Sequence, residues 1–275
     1  MEGYIGSRNQ YPQKFLSLFD KICHGHGHQS SDVFNRFLDF CLYYLSMGKL
    51  TEGLEAVERH HPGKYDAFME LFNILGDGSE GFQDMLGGVY QEISSSYKAS
   101  KMGQFFTPDA VSDLMADIAI GDIDPTTIGK SINDPSCGSG MMLLKAAEKF
   151  GVNRHNQFFV GQDLDAMCAK MCAINMSLNT IPGRVYQMDT LAMNYYAAYD
   201  LKIMMYENHY MAIVHKWDSS EIDAANQRVQ ASYQRSAETK AVESEKEKAA
   251  AQALKEADRL RQKDLKKGFA ATLFD

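Results

Sequence analysis

In VFNRFLDFCLYYL the apolar positions Phe34, Phe37, Leu38, Cys41, Leu42 and Leu45 recur at spacings of three and one, the period of a helix that buries one stripe. Ser30, Ser31 or Asp32 is placed to cap it. Comparable stripes run through YPQKFLSLFDKI, YDAFMELFNIL and FQDMLGGVYQEI, so residues 11 to 96 read as a small helical bundle with its aromatics in the core.

From Thr127 the pattern shortens. The runs IGKSIN, QFFVGQ, RVYQM and LKIMMY alternate with helical stretches at 141–150 and 164–179, the rhythm of strands and crossover helices in a parallel sheet, with MAIV as a doubtful fifth strand. From about residue 221 the chain changes again. ETKAVESEKEKAAAQALKEADRLRQKDLKK is built of strong helix formers, and Leu254, Leu260 and Leu265 are too sparse for a heptad seam. A long, mostly solvated helix is expected, closed by the apolar FAATLFD. The fold class is therefore α/β, with an expected helical domain at 1–100, a Rossmann-like core at 101–218 and a C-terminal helix and tail at 219–275.

With 275 residues, 45% of them apolar, the chain has material for one substantial core. No apolar run reaches the length of a membrane span and MEGYIGSRNQ has no basic, apolar leader, so a cytoplasmic protein is expected. Five scattered cysteines read as thiols rather than bridges. CHGHGHQSS offers Cys23, His24, His26 and His28, but with no matching second cluster it reads as an interhelical loop and no metal is expected. The net charge of −8 opposes a chain that grips nucleic acid alone; if DNA is the substrate, a basic face or a partner has to help.

DPSCGSG, residues 134–140, stands where the first strand gives way to a helix. Gly138 and Gly140 let backbone come close to a ligand, and open α/β sheets bind ligands at that edge. Asp163 in VGQDLD and Asp189 in YQMDTL end the next two strands at the same edge. An acid in the second position is suited to ribose hydroxyls, so a nucleoside is the expected occupant. No phosphate is called for: the loop has neither the third glycine of GxGxxG nor the lysine of a P-loop. Asp134 would repel a phosphate and attract an ammonium, as in the amino acid part of S-adenosyl-L-methionine.

From about Asp84 to Leu191 the chain resembles the N6-adenine DNA methyltransferases, in particular the modification subunit of type I restriction systems. DMLGGVYQEI followed by GQFFTPDAV, then DPSCGSG, GQDLDAMCAKMCAINMSLNTI and MDTL, are similar to that family's segments and come in its order. The resemblance implies S-adenosyl-L-methionine as cofactor. By position, Phe105, Phe106, Thr107 and Pro108 would flank its methionine tail, while Asp134, Cys137, Gly138 and Gly140 would wrap the amino group and sulfonium side. Asp163 would take the ribose hydroxyls, with Asp165 as a second candidate, and Asp189 the adenine amine.

The family completes its site with NPPY or NPPF, where Asn and a proline carbonyl hold the target amine and the ring stacks on a flipped base. No such motif occurs here. Asn208, with Tyr210 two residues on, is the nearest catalytic substitute; Asn194 with Tyr195 and Tyr196 is a poorer one, because it precedes the fourth apolar run. The sheet also looks short for a full methyltransferase. No segment resembles a target-recognition domain, so sequence choice would come from a partner; the expected partners are DNA and a specificity subunit or a homo-oligomer. Two functions stand: an adenine-specific DNA methyltransferase acting with a partner, or a cofactor-binding, non-catalytic relative serving a restriction-modification or antirestriction system.

Overall fold

The computed structural model describes residues 10–24, 29–96, 107, 109–121, 127–207, 209–236, 239–240, 243 and 245–246. Five helices form the N-terminal part: α1 (Gln10–His24), α2 (Ser30–Leu45), α3 (Glu52–His60), α4 (Tyr65–Gly78) and α5 (Met85–Ser96). The stripe anticipated on α2 is buried at Phe34, Phe37, Leu38, Cys41 and Leu42, and Leu45 packs at its margin. Gln29 takes the N-cap without a side-chain hydrogen bond, so none of Ser30, Ser31 and Asp32 caps the helix. Edge-on contact of Phe15 with Phe37, at 5.1 Å between centroids, ties α1 to α2, and Phe40 meets Phe68 of α4 at 5.6 Å.

Then follow α6 (Asp109–Ile120), β1 (Ser131–Asp134), α7 (Met141–Phe150), a 3-10 turn at Gly151–Asn156, β2 (Phe158–Asp163), α8 (Ala166–Leu178), β3 (Gly183–Asp189), β4 (Asn194–Tyr206) and β5 (His209–Lys216). The sheet order is the chain order, β1-β2-β3-β4-β5. Pairing is parallel from β1 to β3, with α7 and α8 as the connecting helices; two crossovers of the usual right hand, stepping in one direction, place such helices on one face.

The fourth run was expected to continue the parallel sheet, and here the structure differs. Only residues 190–193 separate β3 from β4, whereas a parallel return needs a crossover of a dozen or more, so β4 comes back antiparallel. It is 13 residues long and absorbs both NYYAA and LKIMMY. MAIV lies in β5, which pairs antiparallel with β4.

Among the described residues the helical bundle and the sheet share their core. One hydrophobic cluster runs from Phe15 and Phe34 through Leu86 to Leu143, Cys172 and Val185. Helix α8 is buried along almost its whole circumference, from Cys168 to Ser177, because it lies between bundle and sheet. Lys170 fastens this contact: its Nζ donates to Asn35 Oδ1 at 2.9 Å and pairs with Asp39 at 2.6 Å. The compact units are Met1–Asp223 and Ala224–Asp275. Residues 219–236 are helical, started by a reciprocal cap in which Glu221 N donates to Asp218 Oδ1 and Asp218 N to Glu221 Oε2. Leu254, Leu260, Leu265 and FAATLFD lie outside the described residues. All five cysteines are free and buried. Among the described residues no helix is long and apolar enough to cross a membrane.

Candidate cofactor site

The loop after β1 is shaped by acids from two neighbouring strand ends. Asp134 Oδ1 accepts from Ser136 N at 3.1 Å, closing the first turn. Asp163, at the end of β2, accepts from Gly138 N through Oδ2 and from Asp165 N through Oδ1, each at 2.9 Å. Cys137 N donates to Gln162 O at 2.9 Å, so the loop leans back on β2 through main chain as well. The chain needs glycine here. Gly138 and Gly140 have φ of +53° and +95°, and a Cβ on Gly140 would stand 2.9 Å from Cys172 Sγ and 3.3 Å from its Cα. That close approach lets α7 start hard against α8.

Asp134 lies opposite Gly161 in the β1–β2 register, two residues short of Asp163 on the same face. Burial is the main cause that lifts the Asp134 carboxyl above the usual carboxylate range; the amide of Ser136 opposes it and the charge of Asp163 adds to it. A half-buried pair of acids beside an open backbone loop is an environment that favours a cation and hydroxyl donors. The amino and ribose groups of S-adenosyl-L-methionine fit that demand.

The remaining expected residues divide. Asp189 ends β3, and its Oδ1 accepts from Leu191 N and Ala192 N, both at 2.9 Å, so it closes the turn into β4. Asp165 is the N-cap of α8, accepting from Met167 N at 2.8 Å and Cys168 N at 3.0 Å; this local duty accounts for its place in the motif. The Cys137 thiol is turned inward: a Cβ on Gly161 would lie 3.1 Å from its Sγ and 2.9 Å from Cys172 Sγ. Hydrogen bonding with Cys172, burial and the nearby carboxylates push that thiol's pKa well up, so it is a neutral core group and only its backbone belongs to the loop. Thr107 is exposed; Phe105, Phe106 and Pro108 lie outside the described residues.

Of the expected catalytic pair, Tyr210 is not brought to the acidic edge. Asn208 lies outside the described residues. Tyr210 is in β5, opposite Met205, while Asp189 is opposite Asn194 at the other end of β4. From Asp189 back to Gly183, whose partner is Leu201, and on to Met205 is about ten residue steps, roughly 30 Å at a strand rise of ~3.3 Å. Tyr210 instead packs on His155, 4.4 Å between ring centroids, beside the start of β2. The hairpin connection is the reason: an antiparallel β4 carries whatever follows LKIMMY away from the acidic edge. The same reversal puts the other candidate there. Asn194 pairs directly with Asp189, Tyr196 is half exposed, and Tyr195 is occupied by edge contact with Tyr186 at 5.0 Å.

Three residues were not anticipated as parts of the site. Asp84, Ser139 and Asn175 form a hydrogen-bonded group behind the loop, in which Asn175 Nδ2 donates to Asp84 Oδ1 at 2.8 Å and to Ser139 O at 2.9 Å. The one sequence signal was that Asp84 opens the helix that begins the family resemblance.

Residues 81–251 match the family model described as N-6 DNA Methylase. Among curated proteins, the type I restriction enzyme MpnII methylase subunit of Mycoplasma pneumoniae is 32% identical over 132 residues, which are 46% of this chain and 22% of that protein. The MjaIX methylase subunit of Methanocaldococcus jannaschii is 27% identical over 128 residues, 44% of this chain and 22% of that protein. The chain thus spans about a fifth of the length of these relatives. Among solved structures, the type I restriction-modification methyltransferase subunit from Streptococcus thermophilus aligns over 69% of this chain and 61% of that one, with 17% identity and a TM-score of 0.39. Because the match covers more than half of its residues, the chain belongs to the N-6 DNA methylase family, and S-adenosyl-L-methionine is the cofactor that goes with that membership.

Proposed function

We propose that this chain holds S-adenosyl-L-methionine at the carboxyl ends of β1, β2 and β3 and serves a restriction-modification or antirestriction system as a cofactor-binding component that does not itself transfer the methyl group. Asp134 receives the cofactor's ammonium, the Gly138–Gly140 backbone approaches its sulfonium side, and Asp163 offers its remaining acceptor sites to the ribose hydroxyls. Asp189 is the candidate for the adenine amine. When bound, the cofactor supplies an electrophilic methyl group. The observation that carries the non-catalytic reading is the position of Tyr210, roughly 30 Å along the sheet from Asp189. Methyl transfer depends on holding the target amine in line with the methyl, and a residue at that distance has no access to it. DNA contact, given the charge of −8, falls to a partner such as a specificity subunit.

A second reading has its own support. Asn194 and Tyr196 start β4 beside Asp189, so an adenine-specific DNA methyltransferase would take Asn194 as the acceptor for the target amine and Tyr196 as the stacking ring. Tritiated methyl transfer to adenine-containing DNA, with and without a specificity subunit, decides between them. Cofactor binding without incorporation is the expected result. Incorporation that disappears in Asn194→Ala would establish the second reading in place of the first.

A further inference from the structure

The cofactor loop has two glycines in left-handed conformation on either side of Ser139, a stretch with little conformational preference of its own. Its shape must therefore come from outside contacts. The β1–β2 contacts described above hold Ser136, Cys137 and Gly138. Ser139 is held from elsewhere: it is almost wholly buried, its hydroxyl donates to Asp84 Oδ2, and its carbonyl accepts from Asn175 Nδ2 at 2.9 Å. Asp84 is 55 residues away in sequence, at the head of α5, where its Oδ1 accepts from Gly87 N at 2.8 Å in the manner of an N-cap. The same Oδ1 accepts from Asn175 Nδ2 at 2.8 Å, and Asn175 is fully buried in α8.

We infer that Asp84 is a positioning residue for the cofactor: through its hydrogen bond to Ser139 and its shared partner Asn175, the helical bundle sets the conformation of the Gly138–Gly140 loop. This rests on the cofactor lying in that loop, and it assigns the bundle a role that packing alone does not. One carboxylate joins three elements, the first turn of α5, the loop and α8. The fit around it is close. A Cβ on Gly87 would come 2.6 Å from Ser139 Oγ and nearer still to the Asp84 carboxylate, so even a methyl group at that position displaces the clamp. A carboxylate is well suited to the place because both oxygens accept: one serves Gly87 and Asn175 together, the other serves Ser139. An asparagine keeps the first oxygen and turns the second contact around, its amide donating to the serine hydroxyl. Alanine removes the bonds to Gly87, Asn175 and Ser139 together.

The test uses the full chain and two readouts. Titration calorimetry with S-adenosyl-L-methionine should give Asp84→Asn an affinity within about threefold of wild type, and Asp84→Ala and Gly87→Ala an affinity at least tenfold weaker, the size of one lost charge-assisted hydrogen bond. Amide hydrogen exchange on the ligand-free proteins should show Gly138, Ser139 and Gly140 exchanging at least tenfold faster in Asp84→Ala, with Val185 in β3 unchanged. The inference is overturned if Asp84→Ala binds like wild type, if Asp84→Asn is as weak as Asp84→Ala, or if exchange rises equally in β3, which would mean general loss of the fold. If wild type itself gives no heat with the cofactor, the cofactor reading fails while the exchange measurement still judges the clamp.

Discussion

The two ends of the one sheet are built on opposite terms. At the end where β1, β2 and β3 finish, the side chains of Asp134, Asp163 and Asp189 each accept from main-chain amides within a few residues or one strand away, and the loop after β1 is a close turn that depends on glycine. At the other end, where β4 turns into β5, backbone is held by donor side chains instead: Arg154 donates to the carbonyls of Gly151 at 2.7 Å and Asn179 at 3.3 Å, and Gln157 to those of Thr127 at 2.8 Å and Asn153 at 3.2 Å. His155 packs on Tyr210 with its ring tilted, Arg154 reaches Thr180 Oγ1 at 2.8 Å, and Met204, Met205 and Tyr210 remain half or more exposed. The first end fixes backbone, which is what a small ligand with several polar groups requires. The second fixes backbone with donors in place of carboxylates and leaves apolar side chains open. On the proposed cofactor reading, carboxylates that shape backbone and still have acceptor capacity mark the ligand end, whereas exposed aromatic and methionine side chains beside a turn do not.

The strongest way to break this contrast is to remove the backbone freedom on which the acidic end depends. Gly140→Ala forces an L-residue to φ +95° and drives a methyl toward Cys172, where the Cα lies only 3.3 Å away. Left-handed backbone costs about 1–2 kcal/mol and overpacking a similar amount or more, so a loss of about 3 kcal/mol in unfolding free energy is expected. Denaturant unfolding measures it, and cofactor titration on the same protein should detect no binding. A stable Gly140→Ala protein that still binds would mean that the loop does not need its close contact with α8.

How far these features were legible depends on their range. The α2 stripe, the three parallel strands, the loop and the three strand-end acids all rest on short-range patterns, alternation and helical period above all, and they emerged where expected. The direction of β4 did not, because LKIMMY has the same apolar character in either direction; only the four-residue link at 190–193 rules out a parallel return. That one feature moved Tyr210 to the far end and Asn194 to the near end. Asp84, Ser139 and Asn175 were hidden for another reason. Their contact spans 55 and 91 residues, and no local periodicity encodes a hydrogen bond between a helix cap, a loop and a buried helix. Asp165 was ambiguous, since an acid two residues past a strand end serves equally as a ligand or as the cap that it is.

A smaller but sharper effect separates stability from binding within the acidic end. Burial, with Asp163 beside it, holds the Asp134 carboxyl above the usual range in the folded protein. As pH rises the unfolded carboxyl ionises first, near ~3.9, so stability is lost between that value and the raised one and stays lost above it. Asp134→Asn should then be the more stable protein at neutral pH, the difference closing as pH falls toward the ordinary carboxylate value. Cofactor affinity should move the other way, at least tenfold weaker in Asp134→Asn, because the ammonium loses its partner. Wild-type affinity should also fall as pH is lowered through the raised pKa. A substitution that weakened both stability and binding would make Asp134 an ordinary structural acid.

The smallest effect is expected at the far end, and it is the one that tests whether the two ends are independent. Tyr210→Ala removes the ring contact with His155 and nothing nearer the acids, so it should cost about 1 kcal/mol of stability, the usual worth of an aromatic pair. Cofactor affinity should stay within twofold, since contacts some 30 Å apart along separate strands do not share partners and their effects add. His155 offers an internal check. Burial, aided by the Arg154 charge, holds its imidazole below the usual range, so its neutral form is favoured by folding. Loss of the Tyr210 ring would admit water and let that pKa rise, visible in the histidine proton shifts of a pH titration. A tenfold loss of cofactor binding in Tyr210→Ala would mean that the hairpin end reaches the site after all, and the catalytic assignment to this part of the chain would have to be reopened.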